Sequence, residues 1–415
     1  MGDHPMERLS TGVCIVGGGP AGMMAGLLFA RAGVAVTVLE KHGDFLRDFR
    51  GDTIHPSTLD VMDGLGLGDA FRALPQRRVE TFAAVMGGRT FQVADFRRLA
   101  TRNRFVALMP QWDFLDFLAR EAKRLPGFRL LMETEGRSLI EADGRIAGVR
   151  AAGPAGAVAI AADLVLCADG RRSRMRELAG LVPREFAAPI DVLWFRLSRR
   201  DGDPEAAAGR FGSGRILITI DRGDYWQCAA VVPKGGDDAI RARGLDAFRA
   251  GIADLAPFLA DRTGEIGSFD AVKTLTVTVD RLERWHRPGL LCIGDAAHAM
   301  SPVGGVGINL AIQDAVATAN RLAGPLRAGR LTEADLARVQ ARRSRPTRLT
   351  QTLQRVIQDR IIAPVLADDG APLRPPLALR LLDRLPWLQR FPARIVGLGF
   401  RPEHPRARGR PQTPL

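Results

Sequence analysis

The sequence predicts an α/β fold: a Rossmann-like dinucleotide-binding domain with an inserted antiparallel β-sheet and a helical C-terminal segment. Three observations lead to this prediction. A strand, a glycine-rich turn, a helix and a second strand open the chain, long alternating strands occupy its middle, and helical patterns follow. The expected domains are a discontinuous dinucleotide-binding domain over 1–77, 97–184 and 281–330, an inserted sheet over 78–96 and 185–280, and a helical segment with a disordered tail over 331–415.

Length and composition indicate a globular protein of two or three domains. The 415 residues suffice for about two to three domains, and 46% apolar with 25% charged residues is typical of globular chains. No apolar run approaches the roughly 18 residues of a membrane-spanning helix. Four scattered cysteines without a CxxC pair predict neither a disulfide framework nor a metal site. The N-terminus lacks a signal-peptide pattern, which favours a cytoplasmic location.

The positive charge is concentrated near the C-terminus. The net charge is +13, and residues 331–415 contain 16 Arg against 7 acidic residues. One interpretation is a surface for nucleic acid or for a membrane. Only four of the basic residues are Lys, and such a skew is typical of a GC-rich genome. The favoured interpretation is a solvated helical appendage, because no aromatic residues are expected to interleave with these Arg as a stacking platform for bases requires. We therefore expect no nucleic-acid partner and no membrane insertion.

The first βαβ unit carries a phosphate-binding pattern. An apolar run, Val13–Val16, leads into Gly17-Gly18-Gly19-Pro20-Ala21-Gly22, and a second β-branched strand ends at Glu40. In this pattern the first Gly permits a tight turn, the second lets a pyrophosphate approach, and the third allows close helix packing. The helix N-terminus attracts phosphate, and the acid binds ribose hydroxyls. The predicted cofactor-binding residues of this unit are Gly17, Gly19, Ala21, Gly22, Glu40 and Lys41.

The sequence predicts mainly β structure for the middle of the chain. Gly87-Gly88 and Asp143-Gly144 are two-residue hairpin signals between β-rich runs. Longer alternating strands are expected at 191–198, 215–221, 225–232 and 272–279. In strand 191–198, Trp194 alternates with Leu193 and Phe195, and the pattern leaves open which face looks inward.

Two later segments identify the kind of dinucleotide. They are Asp169-Gly170-x-x-Ser173-x-x-Arg176, and Gly294-Asp295-Ala296-Ala297-His298 continuing to Pro302-x-x-Gly305-x-Gly307-x-Asn309. With the glycine-rich turn, these motifs resemble in order and spacing the class A flavoprotein monooxygenases, the FAD-dependent aromatic hydroxylases of the 4-hydroxybenzoate hydroxylase type. The resemblance covers roughly residues 10–325.

The resemblance implies an activity. Such enzymes hold FAD non-covalently, use NADPH or NADH as a transient reductant, and transfer oxygen from dioxygen through a flavin C4a-hydroperoxide. The expected substrate is an aromatic or polyketide-like small molecule that is hydroxylated or epoxidised, and the inserted sheet is expected to bind it. The alternative is an FAD-dependent reductase or dehydrogenase of a lipid-like substrate. A monomer or a homodimer is expected.

The resemblance also implies residue roles. Asp295 is expected at the ribityl chain, Asp169 where FAD and the nicotinamide cofactor pass, and His298 in a structural turn beside the flavin. Arg50 is expected to contact the flavin or its phosphates, with Arg47 as a competitor. The catalytic candidates are Arg50 and His55. The further cofactor-binding candidates are Arg50, Gln111, Asp169, Asp295, Pro302, Gly305, Gly307 and Asn309.

Overall fold

The computed structural model describes residues 7–46, 53–204, 208–367 and 373–406. The strands are β1 Glu7–Val16, β2 Val36–Leu39, β3 Thr53–Ile54, β4 Arg77–Val79, β5 Thr81–Met86, β6 Arg89–Asp95, β7 Val106–Leu108, β8 Phe128–Leu131, β9 Glu135–Ala142, β10 Arg145–Gly153, β11 Gly156–Cys167, β12 Pro183–Phe186, β13 Ile190–Ser198, β14 Ala208–Gly212, β15 Arg215–Asp221, β16 Tyr225–Pro233, β17 Lys273–Leu275, β18 Val279–Leu282, β19 His286–Arg287 and β20 Leu290–Cys292. The helices are α1 Pro20–Arg31, α2 Pro56–Gly64, α3 Gly68–Arg72, α4 Gln111–Lys123, α5 Arg174–Leu178, α6 Asp237–Ala242, α7 Leu245–Leu255, α8 Gly307–Arg327, α9 Glu333–Ile357, α10 Ala363–Ala367, α11 Leu377–Arg384 and α12 Arg390–Gly397.

The first sheet is built around parallel strands. Its order is β19-β20-β11-β1-β2-β8, in which β20, β11, β1, β2 and β8 pair in parallel with one another. Strand β19 pairs antiparallel with β20, and the hairpin β9–β10 is joined antiparallel to β11. Val13–Val16 and the four residues of β2 are buried throughout, as expected of strands covered on both faces. Helix α1 packs against this sheet with ten of its twelve residues buried. The carboxyl ends of β1, β2 and β20 therefore meet along one edge, where an open α/β sheet binds its ligand.

The second sheet has the order β17-β13-β16-β15-β14-β5-β6. It is antiparallel except for the pair β14–β5, which runs parallel. The predicted single strand 272–279 is wrong: β17 joins this sheet, whereas β18 pairs with β12 elsewhere. The strand is interrupted at Val277, because its backbone N–H donates to Asp191 Oδ1 at 2.8 Å instead of to a neighbouring strand. Strand β14 and helices α6 and α7 were also not anticipated.

The two faces of the second sheet have different neighbours. On one face Leu193, Phe195 and Trp226 are buried among residues of α7 and of the turn Pro257–Glu265. On the other face lie Val192, Ile216 and Ala229, with Trp194 and Ile218 packed against them. Val303, eleven residues after the end of β20, belongs to this second cluster. The Trp194 face therefore looks toward the edge where the parallel strands end.

The C-terminal segment is helical, as predicted. A capping box of Thr332 and Asp335 starts α9, which continues through a π-helical turn, Gln358–Ile362, into α10. Helix α12 buries Ala393 against a cluster that includes Phe96 and Leu99. In the described ranges no helix is long and apolar enough to span a bilayer. Together these observations confirm the predicted fold class, an α/β core with an inserted sheet and C-terminal helices.

Arginines of this segment are accompanied by aromatic rings. The Arg390 guanidinium lies 5.8 Å from the ring centre of Trp387 and 4.9 Å from that of Phe391. These contacts make cation–π pairs on an exposed surface, so the expectation that no aromatic residues interleave with the Arg of this segment is wrong.

Replacement of Phe195 tests the covered face of the second sheet. The ring is fully buried and makes an edge contact with Phe248 at 5.5 Å between centroids. Phe195→Ala should lower the free energy of unfolding by about 3–5 kcal/mol, because it removes buried apolar surface and leaves a cavity. Val182→Ala, at an exposed site, should change it by less than about 0.5 kcal/mol in the same urea titration. Equal effects of the two substitutions would contradict this packing.

Candidate active site

The glycine-rich turn joins β1 to α1. Gly17 has φ +107°, and a Cβ there would lie 2.4 Å from the Ala168 carbonyl oxygen. A Cβ on Gly22 would lie 1.9 Å from the Gly17 carbonyl oxygen. At Gly19, by contrast, a Cβ would meet no atom within 4 Å. The first and third glycines are therefore required by packing, whereas the second borders open space beside the helix.

Helix α1 presents an uncapped N-terminus to that space. Gly19 is the extended N-cap residue and provides no side-chain cap, and Pro20 is the first helical residue. The amides of Ala21 and Gly22 consequently lack acceptors within the helix. Free N–H groups and the positive end of the helix dipole favour an anion here. The turn thus fits the pyrophosphate of FAD, with room for it at Gly19.

Glu40 lies beside the same turn. Its carboxylate is buried, and it accepts from the amide of Gly18 at 3.0 Å and from the amide of His42 at 3.1 Å. A fixed carboxylate at the end of β2 is the kind of acceptor that ribose hydroxyls require. Lys41 is exposed.

Asp169 supports the loop after β11. Its carboxylate accepts from Ser173 Oγ at 2.5 Å and from the amide of Met175 at 3.1 Å. Burial raises the pKa of Asp169, although these hydrogen bonds oppose the shift. Arg176, three residues after Ser173, donates to the Ala296 carbonyl at 3.1 Å. The motif therefore links helix α5 to the turn after β20 through side chains that already have protein partners.

Asp295 is more accessible. It follows β20, its side chain is 33% exposed, and Oδ2 accepts from Arg171 Nε at 3.1 Å. Of the two aspartates predicted to bind the cofactor, Asp295 has the more exposed carboxylate, and it accepts fewer of the hydrogen bonds described here. The predicted contact of Asp295 with the ribityl chain of FAD stays a prediction.

A buried ion-pair network lies beneath this turn. Asp314 Oδ2 lies 2.6 Å from His298 Nε2 and accepts from the Gly294 amide at 3.1 Å, while Oδ1 accepts from Arg343 Nε at 2.9 Å. Burial alone would raise the pKa of Asp314, but His298 and Arg343 outweigh it and hold the pKa below its usual value. His298 therefore makes a buried structural contact, and its expected position beside the flavin stays a prediction. Neither Asp314 nor Arg343 was anticipated from the sequence.

The loop before α8 is tied to residues 53–58. Asn309 Oδ1 accepts from the His55 amide and from Thr58 Oγ1, both at 2.8 Å, and its Nδ2 donates to the Thr53 carbonyl at 3.0 Å. Gly305 has φ +61°, and a Cβ there would lie 2.5 Å from Thr53 Oγ1. These bonds fix the loop from Pro302 onward, so Asn309 shapes the site through protein contacts. Its predicted contact with the flavin stays a prediction.

Gly307 and Gln111 begin helices near this region. Gly307 is the first residue of α8, and a Cβ on it would meet no atom within 4 Å. Gln111 is the first residue of α4 and is buried. Arg50, its competitor Arg47 and the rest of their segment lie outside the described residues, so the assignment of Arg50 to the flavin stays a prediction.

His55 lies between α2 and α12. Its side chain is fully buried, and Nδ1 lies 2.7 Å from the Val396 carbonyl oxygen, to which it donates as N–H. Burial lowers the pKa of His55 to about 4, although the bond to Val396 opposes the shift. The neutral ring therefore presents Nε2 as a buried acceptor without a protein partner in the described structure. Its contact with α12 has no signal in the local sequence.

Comparisons with known proteins agree with this geometry. A family model described as an FAD binding domain matches residues 10–352. The chain belongs to this family. It is 35% identical over 384 residues to 6-methylpretetramide 4-monooxygenase of Streptomyces rimosus, covering 92% of this chain and 91% of that protein. It is 25% identical over 340 residues to protoasukamycin 4-monooxygenase of Streptomyces nodosus subsp. asukaensis, covering 79% and 83% of the two chains.

Solved structures share the fold. That of p-nitrophenol 4-monooxygenase from Pseudomonas putida DLL-E4 superimposes with a TM-score of 0.76 at 20% identity, covering 94% of this chain and 97% of that one. This FAD-family chain therefore has the overall architecture of a flavoprotein monooxygenase.

Substitution of Gly19 is predicted to weaken FAD binding, whereas substitution of Gly17 is predicted to lower the stability of the fold. Gly19→Ala should fold with wild-type stability but bind FAD about tenfold or more weakly, because its Cβ enters the space that the pyrophosphate needs. Gly17→Ala should lower the free energy of unfolding by about 1–3 kcal/mol or more, because φ is positive and the Cβ meets backbone. Thermal unfolding of the apoprotein and FAD titration by fluorescence separate the two effects. Wild-type FAD affinity in Gly19→Ala would contradict the placement.

His55 predicts a pH dependence of stability. Because its pKa is about 4 when folded and about 6.5 when unfolded, the unfolded chain binds the extra proton between these values. The folded state should therefore lose up to about 3 kcal/mol as the pH falls from about 6.5 to about 4. Urea titrations across this range should show a shallower slope for His55→Gln. His404→Gln, at an exposed site, should keep the wild-type slope, and equal slopes in all three proteins would contradict the prediction.

Proposed function

We propose that this FAD-dependent monooxygenase uses NADPH or NADH and dioxygen to hydroxylate, or epoxidise, a polycyclic aromatic polyketide. The observation that carries the proposal is the open space at Gly19, between the uncapped N-terminus of α1 and the carboxylate of Glu40, within a chain that shares its fold with a solved monooxygenase. The relative that matches 92% of this chain is named for the oxygenation of 6-methylpretetramide, which supports the substrate class.

Bound FAD would supply the redox chemistry: acceptance of two electrons from the nicotinamide cofactor and activation of dioxygen. Different residues of this chain would bind successive parts of FAD, from the pyrophosphate to the flavin ring. The amides of Ala21 and Gly22 would donate to the pyrophosphate, and Glu40 would accept from the ribose hydroxyls. Asp295 would accept from ribityl hydroxyls, and the loop fixed by Asn309 would border the ring. Gln111 would bind ribose or phosphate from the start of α4.

The second sheet would provide the apolar wall. Val192, Ile216, Ala229 and Ile218 form a face with Trp194, and Val303 of the loop before α8 packs into it. Apolar side chains on both sides exclude water, which suppresses unproductive loss of activated oxygen. In this proposal the residues at 78–96 and 185–280 form the substrate domain, and the parallel sheet forms the FAD domain. A cytoplasmic monomer or homodimer is proposed for the whole enzyme.

The test combines cofactor identity with product analysis. The purified protein should be yellow and release FAD on heating. With NADPH or NADH it should consume labelled dioxygen in the presence of hydroxylated polycyclic aromatics, and mass spectrometry should find one labelled oxygen atom in the product. NAD(P)H consumption that needs no dioxygen and gives a reduced product would favour a reductase instead. FMN in place of FAD would contradict the cofactor assignment.

A further inference from the structure

The last two helices of the described chain expose a group of apolar side chains. Of the twelve large apolar side chains that are exposed in the described ranges, six lie within residues 377–400. Single exposed apolar residues are normal on a protein surface, whereas a contiguous group indicates a binding surface. Five of the six form a surface that we call the C-terminal face: Leu377, Leu381, Leu385, Trp387 and Phe391.

The C-terminal face is continuous along the chain. Leu377 and Leu381 are four residues apart on α11, and Leu385 follows at the helix end after four more, so the three lie on one side. Trp387 and Phe391 are also four apart, and their ring centroids lie 6.3 Å from each other. Leu385 and Trp387 are separated by two residues, which is at most about 7 Å of chain, so the two rows adjoin.

The opposite sides of α11 and α12 are fixed to the body of the protein. Asp383 of α11 accepts from the Gln92 amide of β6 at 3.4 Å. Gln389 is buried, and its Nε2 donates to the Leu382 carbonyl at 2.9 Å, which ties the turn between the two helices to α11. Ala393 of α12 is fully buried. The C-terminal face therefore has a fixed geometry on the outer side of these helices.

The segment that carries this face exposes only basic charged side chains. In the described range 373–406, all seven arginines are exposed and neither of the two acids is. Asp383 lies 3.9 Å from Arg89 of β6, and Glu403 is buried beside Arg343. Among the described residues, no ion pair involves any of the seven arginines, so their charge is not neutralised within the protein. They are Arg374, Arg380, Arg384, Arg390, Arg394, Arg401 and Arg406.

The positive charges and the apolar side chains are interleaved. The Arg390 guanidinium lies over the rings of Trp387 and Phe391, at 5.8 and 4.9 Å from their centres. Arg380 and Arg384 alternate with the leucines of α11. Arginine stems lie along apolar surface while the charged group stays in a polar layer, and Trp favours the headgroup level of a bilayer. Helices that lie in a membrane interface combine these features.

Two other occupants agree less well with the C-terminal face. In a symmetric dimer the same patch meets itself, which would bring the unpaired arginines of two copies together. Nucleic acid would pair with the arginines and stack on Trp387, but it gives no reason for the exposed aliphatic row of α11. The surface of an anionic bilayer matches both the aliphatic row and the positive charge.

We propose that the C-terminal face binds the surface of an anionic phospholipid bilayer, with α11 and α12 in the plane of the interface. The leucines and the two aromatic rings enter the boundary between headgroups and acyl chains, and the arginines contact lipid phosphates. Such binding is peripheral and requires no spanning helix. It replaces the interpretation of this segment as a solvated appendage. It goes beyond the proposed function, because it involves neither FAD nor the substrate.

Cosedimentation with lipid vesicles tests the proposal. The FAD-loaded full-length enzyme is mixed with vesicles of phosphatidylcholine alone, or of equal parts of phosphatidylcholine and phosphatidylglycerol, at about 0.1 M salt. The partition coefficient should be at least about tenfold higher for the vesicles that contain phosphatidylglycerol. It should fall when the salt is raised to about 0.5 M, because salt screens the attraction to the lipid phosphates.

Two double variants separate the apolar from the electrostatic contribution. Trp387→Ser with Phe391→Ser should lower the partition coefficient by about tenfold or more, because it removes apolar area that enters the interface. Arg390→Gln with Arg394→Gln should also lower it and should flatten its dependence on salt. Each variant should retain FAD and melt within about 2 °C of wild type, since the substituted side chains are exposed.

Matched controls change the same kinds of side chain elsewhere. Val182→Ser removes an apolar side chain that is 81% exposed. Arg124→Gln with Arg338→Gln removes two exposed arginines whose charges are already paired with Glu121 and Asp335. Both controls should stay within about twofold of the wild-type partition coefficient, because neither site belongs to the C-terminal face.

The outcomes that contradict the proposal are distinct. Equal partition of the wild type to both kinds of vesicle, or to neither, would overturn it, as would wild-type partition of the Trp387→Ser, Phe391→Ser variant. A dimer in the absence of lipid that this variant converts to a monomer would identify a subunit interface instead. Retention on duplex DNA that depends on Arg390 and Arg394 but not on the rings would identify a nucleic-acid surface. An enzyme that oxygenates its substrate but binds no vesicles would refute this proposal alone.

Discussion

The carboxylate of Asp314 is the buried charge that joins the turn after β20, helix α8 and helix α9. A buried carboxylate is unfavourable unless cations and hydrogen bonds compensate for the lost water. Here the imidazole of His298, the guanidinium of Arg343 and the amide of Gly294 all point at it. The turn after β20, helix α8 and helix α9 thereby become one unit. Asp295, which immediately follows Gly294, takes its position from that unit.

The same network extends to the end of the described chain. Arg343 Nη1 donates to the Arg401 carbonyl at 3.1 Å and lies 3.7 Å from Glu403 Oε1, and Arg342 also pairs with Glu403. Gln354 reaches the loop at Ser301 from the same helix α9. The C-terminal helices are therefore more than an appendage. They brace the turn and the loop that the proposed FAD site requires, and Ile362 and Val365 pack in one cluster with residues of the second sheet.

Local patterns made the fold class and the first half of the site predictable. The β1–α1–β2 unit is recognisable from its apolar strands, its glycine-rich turn and the acid that follows β2. Gly17, Gly19 and Gly22 differ in their surroundings as the glycine pattern requires. Strand 272–279 was predicted as one element because the Asp191 carboxylate that interrupts it lies far away in sequence. Asp314, Arg343 and the contact of His55 with Val396 were missed for the same reason. Their roles depend on tertiary neighbours, and no spacing within a short window reveals them.

The parallel pairing of β14 with β5 has a consequence for how the chain is made. Val85 of β5 is matched with Arg210 of β14, so the second sheet closes only after most of the first has been synthesised. Long-range pairing forms slowly, because the entropy of a large loop must be lost before the contacts compensate. During translation the β5–β6 hairpin therefore waits with an unpaired edge, which is a template for association with other nascent chains. A lower growth temperature or a co-expressed chaperone should therefore raise the yield of folded protein, because either one protects this edge until β14 is made.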